Sequence, residues 1–196
     1  MNKFFAIVIL IWFSGFGLMG FDNTEQTKFL DQFNSINKNG MYVLGSWAVL
    51  NIVSGTIGNF SATGKTKYFH QMNAVWNSVN LGIAVFSLMN LPGNDLTLID
   101  SFKEYSNLQN FLLLNTGLDA AYIVTGFFLK EKSYNSKTKG ELLYGYGNSL
   151  IIQGAFLLAF DLILYFFHQS NAEINLYPLI NNIDKSYLGI QFQLNL

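Results

Sequence analysis

Long apolar runs separated by short polar turns set the pattern of this chain. After an opening run over residues 4–21, four apolar stretches fall at approximately 41–60, 71–91, 108–129 and 143–167. Each is near the roughly 20 residues that a helix needs to cross a bilayer core. Two shorter segments also carry helical spacing of apolar positions. Phe29, Leu30, Phe33 and Ile36 precede the first stretch, and Leu98, Ile99, Phe102 and Tyr105 precede the third. Both are too short and too charged to cross, which predicts amphipathic helices lying in the membrane interface. The expected fold is an all-α membrane protein, a four-transmembrane-helix bundle.

The pattern repeats. Ile52-Val53-Ser54-Gly55 returns as Ile123-Val124-Thr125-Gly126, Lys65-Thr66-Lys67 as Lys137-Thr138-Lys139, and Asn77-Ser78 as Asn148-Ser149. The amphipathic segments match as well, Phe29-Leu30-Asp31-Gln32-Phe33 against Leu98-Ile99-Asp100-Ser101-Phe102. Four matches in the same order, at offsets of 69 to 72, predict two parallel helical-hairpin repeats, about 24–92 and 94–168. Two spans per unit keep the copies in one orientation, related by a pseudo-twofold axis along the membrane normal. The four-helix domain is then 21–168, and 169–196 is a tail. Within the tail, Leu188, Ile190, Phe192, Leu194 and Leu196 alternate with polar or small residues, which is strand periodicity. A terminal strand of this kind needs a partner, such as a second copy of the chain.

Composition agrees with the membrane reading. Of 196 residues, 51% are hydrophobic and 12% charged, against about a quarter charged in a soluble domain. All eleven basic residues are Lys, so bidentate phosphate recognition by Arg is excluded, and a net charge of −1 gives no sign of nucleic-acid binding. With no Cys there is no disulfide or thiolate metal site. Lys3 ahead of the run 4–21 reads as an export signal, but the exit Phe16-Gly17-Leu18-Met19-Gly20 lacks a clean cleavage site. Residues 1–20 are therefore a signal peptide or a retained anchor. Lys65, Lys67, Lys130, Lys132, Lys137 and Lys139 occupy two short turns on one face. The positive-inside rule makes those turns cytoplasmic and puts the C-terminus on the outer face.

Candidate chemistry lies at membrane depth. Asn51, Asn80 and Asp119 fall near the centres of the first three spans, and Gln153 and Asp161 flank the midpoint of the fourth. No Lys or Arg lies within a span to neutralise either aspartate, and such residues default to a functional reading. Asn115, Asp119 and Tyr122 share one stripe; Asp161, Tyr165 and His168 share another. Trp47, Asn51, Ser54 and Gly58 line one side of the first helix, and His70, Asn73, Asn77 and Asn80 one side of the second. The plain alternative is that Asn, Gln and small residues, including Gly45, Gly55, Gly82, Gly117, Gly126 and Gly154, simply hold helices together. For His70 a solvated or capping role competes with ligation. Gly64-Lys65-Thr66 lacks the upstream glycine and strand of a P-loop.

The residues 41–48 with Asn51, then Lys67-Tyr68-Phe69-His70-Gln71-Met72-Asn73 with Trp76-Asn77, resemble an uncharacterised family of small bacterial multi-pass membrane proteins. Gln153-Gly154-Ala155-Phe156-Leu157 and Phe160-Asp161 are similar to the same family. The resemblance implies four helices and a domain of unknown function, with no catalytic residues. The expectation is a non-enzymatic protein of the bacterial inner membrane, its cofactor unknown. It would bind a small ligand, proton or cation through Asp119, Asp161, Asn51, Asn80, Asn115, Gln153, Tyr122 and His70. The alternative is a scaffold acting through its interfacial helices and tail, within a homo-oligomer or membrane complex.

Overall fold

The computed structural model describes residues 23–181 apart from Asn94. Among them the chain forms four helices and no strand: α1 (Asn23–Ser61), α2 (Gly64–Met89), α3 (Leu98–Tyr134) and α4 (Gly140–Asn175). The all-helical expectation is met. By length and composition α1, α3 and α4 are long and apolar enough to cross a membrane. The 26-residue α2 carries its polarity on the packed side, where Asn73, Asn77 and Asn80 are buried. Outward-facing side chains such as Leu50, Phe60, Phe86, Val124 and Phe128 give the bundle a surface compatible with lipid.

Local chemistry sets the helix ends. Thr97 caps α3, its Oγ1 accepting from the Asp100 backbone N–H at 3.1 Å, a Ser/Thr-x-x-acid start. Between α1 and α2 the chain reverses within a few residues because Gly64 adopts φ +58, a conformation costly to side chains with a Cβ. Beyond α4, Pro178 follows two residues after the C-cap Leu176, where it cannot continue a regular helix.

The amphipathic segments are not separate interfacial helices. Residues 24–40 run unbroken into the rest of α1, and 98–107 into α3. The apolar face of the first is covered by protein, Phe29, Leu30 and Phe33 packing with Tyr105, Ala172 and Leu176 in one core cluster, whereas Ile99 and Phe102 of the second stay exposed. Asn171 Nδ2 donates to the Phe29 carbonyl and Gln26 Nε2 to the Leu96 carbonyl, tying the same end together. The tail expected from residue 169 also starts later, since α4 continues to Asn175 and a further helical turn covers 177–181. The leader 1–20 and the alternating segment 187–196 lie outside the described residues.

At 39 residues α1 is about 58 Å long, against roughly 30 Å of bilayer core. The first turns of α1, with those of α3 and the last of α4, form a collar around the Phe29–Leu176 cluster. At the opposite end, the Nζ atoms of Lys65 and Lys130 both lie over the Tyr144 ring, at 4.4 and 5.3 Å, bringing the lysine-bearing turns together.

Between these ends α1 packs on α2 and α3 on α4, while α4 also packs against α1 and α2. Helices α2 and α3 stand apart, and their ring contact is Trp76 against Tyr122, edge to face at 4.7 Å. A second apolar cluster, Met41, Leu44, Ala84, Leu112 and Leu164, fills the middle of the bundle.

Candidate functional site

Small residues bring α3 and α4 together where the aspartates lie. A Cβ on Gly154 would fall 2.9 Å from the Asp119 carbonyl oxygen, so the two backbones nearly touch there. Two turns further along the same side of α4, Asp161 reaches Asp119 and the carboxyl groups meet side chain to side chain. Asn115, one turn from Asp119, also reaches Asp161. Asp119 is 3% exposed, and its Oδ2 has no hydrogen-bond partner among the described residues.

The pair sits on the wall of a cavity of about 480 Å³ between α2 and α3, backed by α4 and α1. Its polar lining includes Asn80, Asn115, Tyr122 and Asn37; the described wall has no Lys, Arg or His. Trp76 closes the lysine side against Tyr122, and its buried Nε1 has no partner among the described residues. The rim is apolar, and Val79, Ile83, Phe86, Phe111 and Leu118 are all substantially exposed. The cavity therefore opens sideways, through the gap between α2 and α3, rather than only along the bundle axis.

Asn51 and Gln153 belong to an adjoining hydrogen-bond network instead of the cavity wall. Gln153 Nε2 donates to Asn51 Oδ1 at 3.3 Å and to Asn73 Oδ1 at 3.1 Å, and its Oε1 accepts from Trp47 Nε1 at 2.9 Å. Ser149 Oγ donates to the same Asn73 oxygen at 2.5 Å, and Asn73 Nδ2 to Asn51 Oδ1 at 3.3 Å. Asn80 links the layers: it lines the cavity and donates to Asn77 Oδ1 at 3.4 Å. Stacking of Trp47 on Phe156, with centroids 3.9 Å apart, fixes the indole that holds Gln153. Such a network locks three helices in register, which is the adhesive role open to buried amides.

His70 is not part of either group. Its ring packs on Gly58, where a Cβ would come within 2.2 Å of it. Ser54, expected on the same side of its helix as Trp47 and Asn51, is exposed and donates to the Asn51 carbonyl of its own helix. Five of the eight expected residues thus share one cavity: Asp119, Asp161, Asn80, Asn115 and Tyr122. The lining residues that the sequence did not single out include Trp76, Asn37, Ser87 and Asn90. Trp76 reads in sequence as an interfacial anchor, and Asn37 falls in a segment that looks too polar to be interior. Among the described residues no three His, Cys, Asp or Glu side chains gather as a metal site.

Together the fold and the cavity define a helical bundle with membrane-length apolar helices and an acidic pocket open to its side. A family of unknown function, DUF6992, matches residues 43–162, and the chain belongs to it. The matched stretch takes in both aspartates and the amide network. No curated protein and no solved structure matches the chain.

Proposed function

We propose that this is a non-enzymatic, membrane-embedded binding protein that holds a small ligand, proton or cation between Asp119 and Asp161. One observation carries the reading. Two carboxyl groups meet on the wall of one cavity whose described lining offers no basic side chain. Two ionised carboxylates in contact repel, so the arrangement calls for a proton or a positive group between them.

In this reading all four helices cross the membrane as two parallel copies of one hairpin. Gly55 and Gly126, equivalent in the repeat, each approach the next helix closely, Gly55 at Ala74 and Gly126 at Gly147. That supports a duplication. The site itself is not duplicated, since the residue 71 positions before Asp119 is the buried Ala48. The lysine-bearing end faces the cytoplasm of a bacterial inner membrane, and the collar lies outside.

The test is thermal melting of the protein in lipid nanodiscs, titrated with sodium, potassium, calcium or ammonium and repeated across pH. A bound cation at about 100 times its Kd adds about 2.7 kcal/mol of stability, a rise of a few degrees in Tm. Asp119→Asn and Asp161→Asn should each abolish that rise, or remove the proton's effect on melting. Equal responses in wild type and both variants would overturn the role.

A second reading, a scaffold, draws support from Ile99 and Ile174, exposed apolar residues on the collar. It requires that Ile99→Ser with Ile174→Ser dissolve a complex while the aspartate variants leave it intact.

A further inference from the structure

The cavity is much larger than a proton or metal ion requires. Its 480 Å³ compares with about 30 Å³ for one water in the liquid, and it lies within the range of pockets that enclose organic ligands. Its chemistry is divided. One wall carries the buried acidic pair, with an Asp119 oxygen that has no partner among the described residues. The rim is made of Val79, Ile83, Phe86, Phe111 and Leu118, which disfavours filling the space with water alone. Phe86, 70% exposed, and Phe111, 50% exposed, sit on opposite sides of the gap between α2 and α3. The apolar outer surface of the bundle continues into that gap, so a molecule dissolved in lipid reaches the aspartates without crossing water.

We propose that the ligand is an amphiphilic amine, an apolar body bearing one protonated nitrogen. It enters sideways from the bilayer between α2 and α3 and sets its ammonium group on Asp119 and Asp161. The positive charge and N–H donors of such a ligand answer the two features that the wall leaves open: uncompensated acidity and an oxygen without a donor. Asn80, Asn115 and Tyr122 then offer oxygen acceptors to the remaining N–H groups, and the rim covers the apolar body. A neutral alcohol of the same shape meets the rim equally well but brings no charge to the pair. The inference rests on the binding role proposed above and names its ligand class and its entrance.

The experiment uses the full chain in phosphatidylcholine nanodiscs, with dodecylamine, dodecanol and ammonium chloride as probes and Tm as the readout. Dodecylamine should raise Tm saturably where dodecanol does not. Asp119→Asn with Asp161→Asn should weaken its apparent affinity by about tenfold or more, the scale of losing a charge-assisted hydrogen bond. Leu118→Trp, at the exposed rim, should narrow the entrance and weaken dodecylamine similarly. It also serves as the variant of choice should the double aspartate change compromise folding. Equal effects of dodecanol and dodecylamine, or a Leu118→Trp protein that binds dodecylamine as wild type does, overturn the inference. An aspartate-dependent response to ammonium or metal cations without one to dodecylamine overturns it and leaves the binding role standing. If no probe gives an aspartate-dependent response, both fall.

Discussion

At the scale of single residues, charge in an apolar run is the most legible signal the sequence offers. Asp119 and Asp161 stand out because lipid cannot solvate them and no basic residue shares their spans, and both line the cavity. Amides are harder to sort, since an inward Asn reads alike whether it lines a cavity or bonds another amide. Gln153 illustrates this: the sequence placed it with the aspartates, and it is fully buried among Trp47, Asn51 and Asn73. Its replacement is correspondingly informative. Gln153→Leu removes three hydrogen bonds and leaves the Trp47 N–H unsatisfied, at a cost of about 1–3 kcal/mol. Denaturant or thermal unfolding in detergent should register that loss while probe binding at the aspartates persists; unchanged stability would show that the network holds nothing.

Helix-scale features were legible in existence and less so in extent. Apolar length identified all four helices, because a 20-residue run has few other solutions. It cut α1 in two, however, at the polar stretch Asn37-Lys38-Asn39-Gly40. That stretch stays helical because Asn37 turns inward, its Oδ1 3.1 Å from the Nε2 of buried His168, a partner 131 residues away. No local pattern reports such a contact. Glycines show the same limit. All six that were singled out could serve close packing, yet a Cβ on Gly126 would lie 2.6 Å from the Gly147 carbonyl, while Gly82 and Gly117 have nothing within 4 Å. Gly126→Leu should therefore force α3 from α4 and cost about 1–3 kcal/mol or more by thermal melting. Gly117→Leu, facing outward on the same helix, should fall within about 0.5 kcal/mol of wild type. A reversed order would mean that α3 and α4 do not meet as described.

For the whole molecule, the arrangement of helices is what sequence could not supply. Periodicity marks which face of a helix is buried, but not that α4 touches all three others while α2 and α3 diverge to leave a side entrance. The link between those two meets the collar end at Pro92, whose carbonyl accepts from Asn34 Nδ2. Because α4 packs against both α1 and α2, chains cut within that link and expressed together should reassemble and co-purify; halves that never associate would refute this account of the interface. The unbroken course of α1 and α3 has a mechanical consequence. Both wall the cavity and both end in the collar core. With no joint between the two levels they act as levers. A tilt of about five degrees at the cavity, carried along some 25 Å of rigid helix, displaces the collar by about 2 Å. Occupancy of the cavity would thus be readable as a movement of the collar surface.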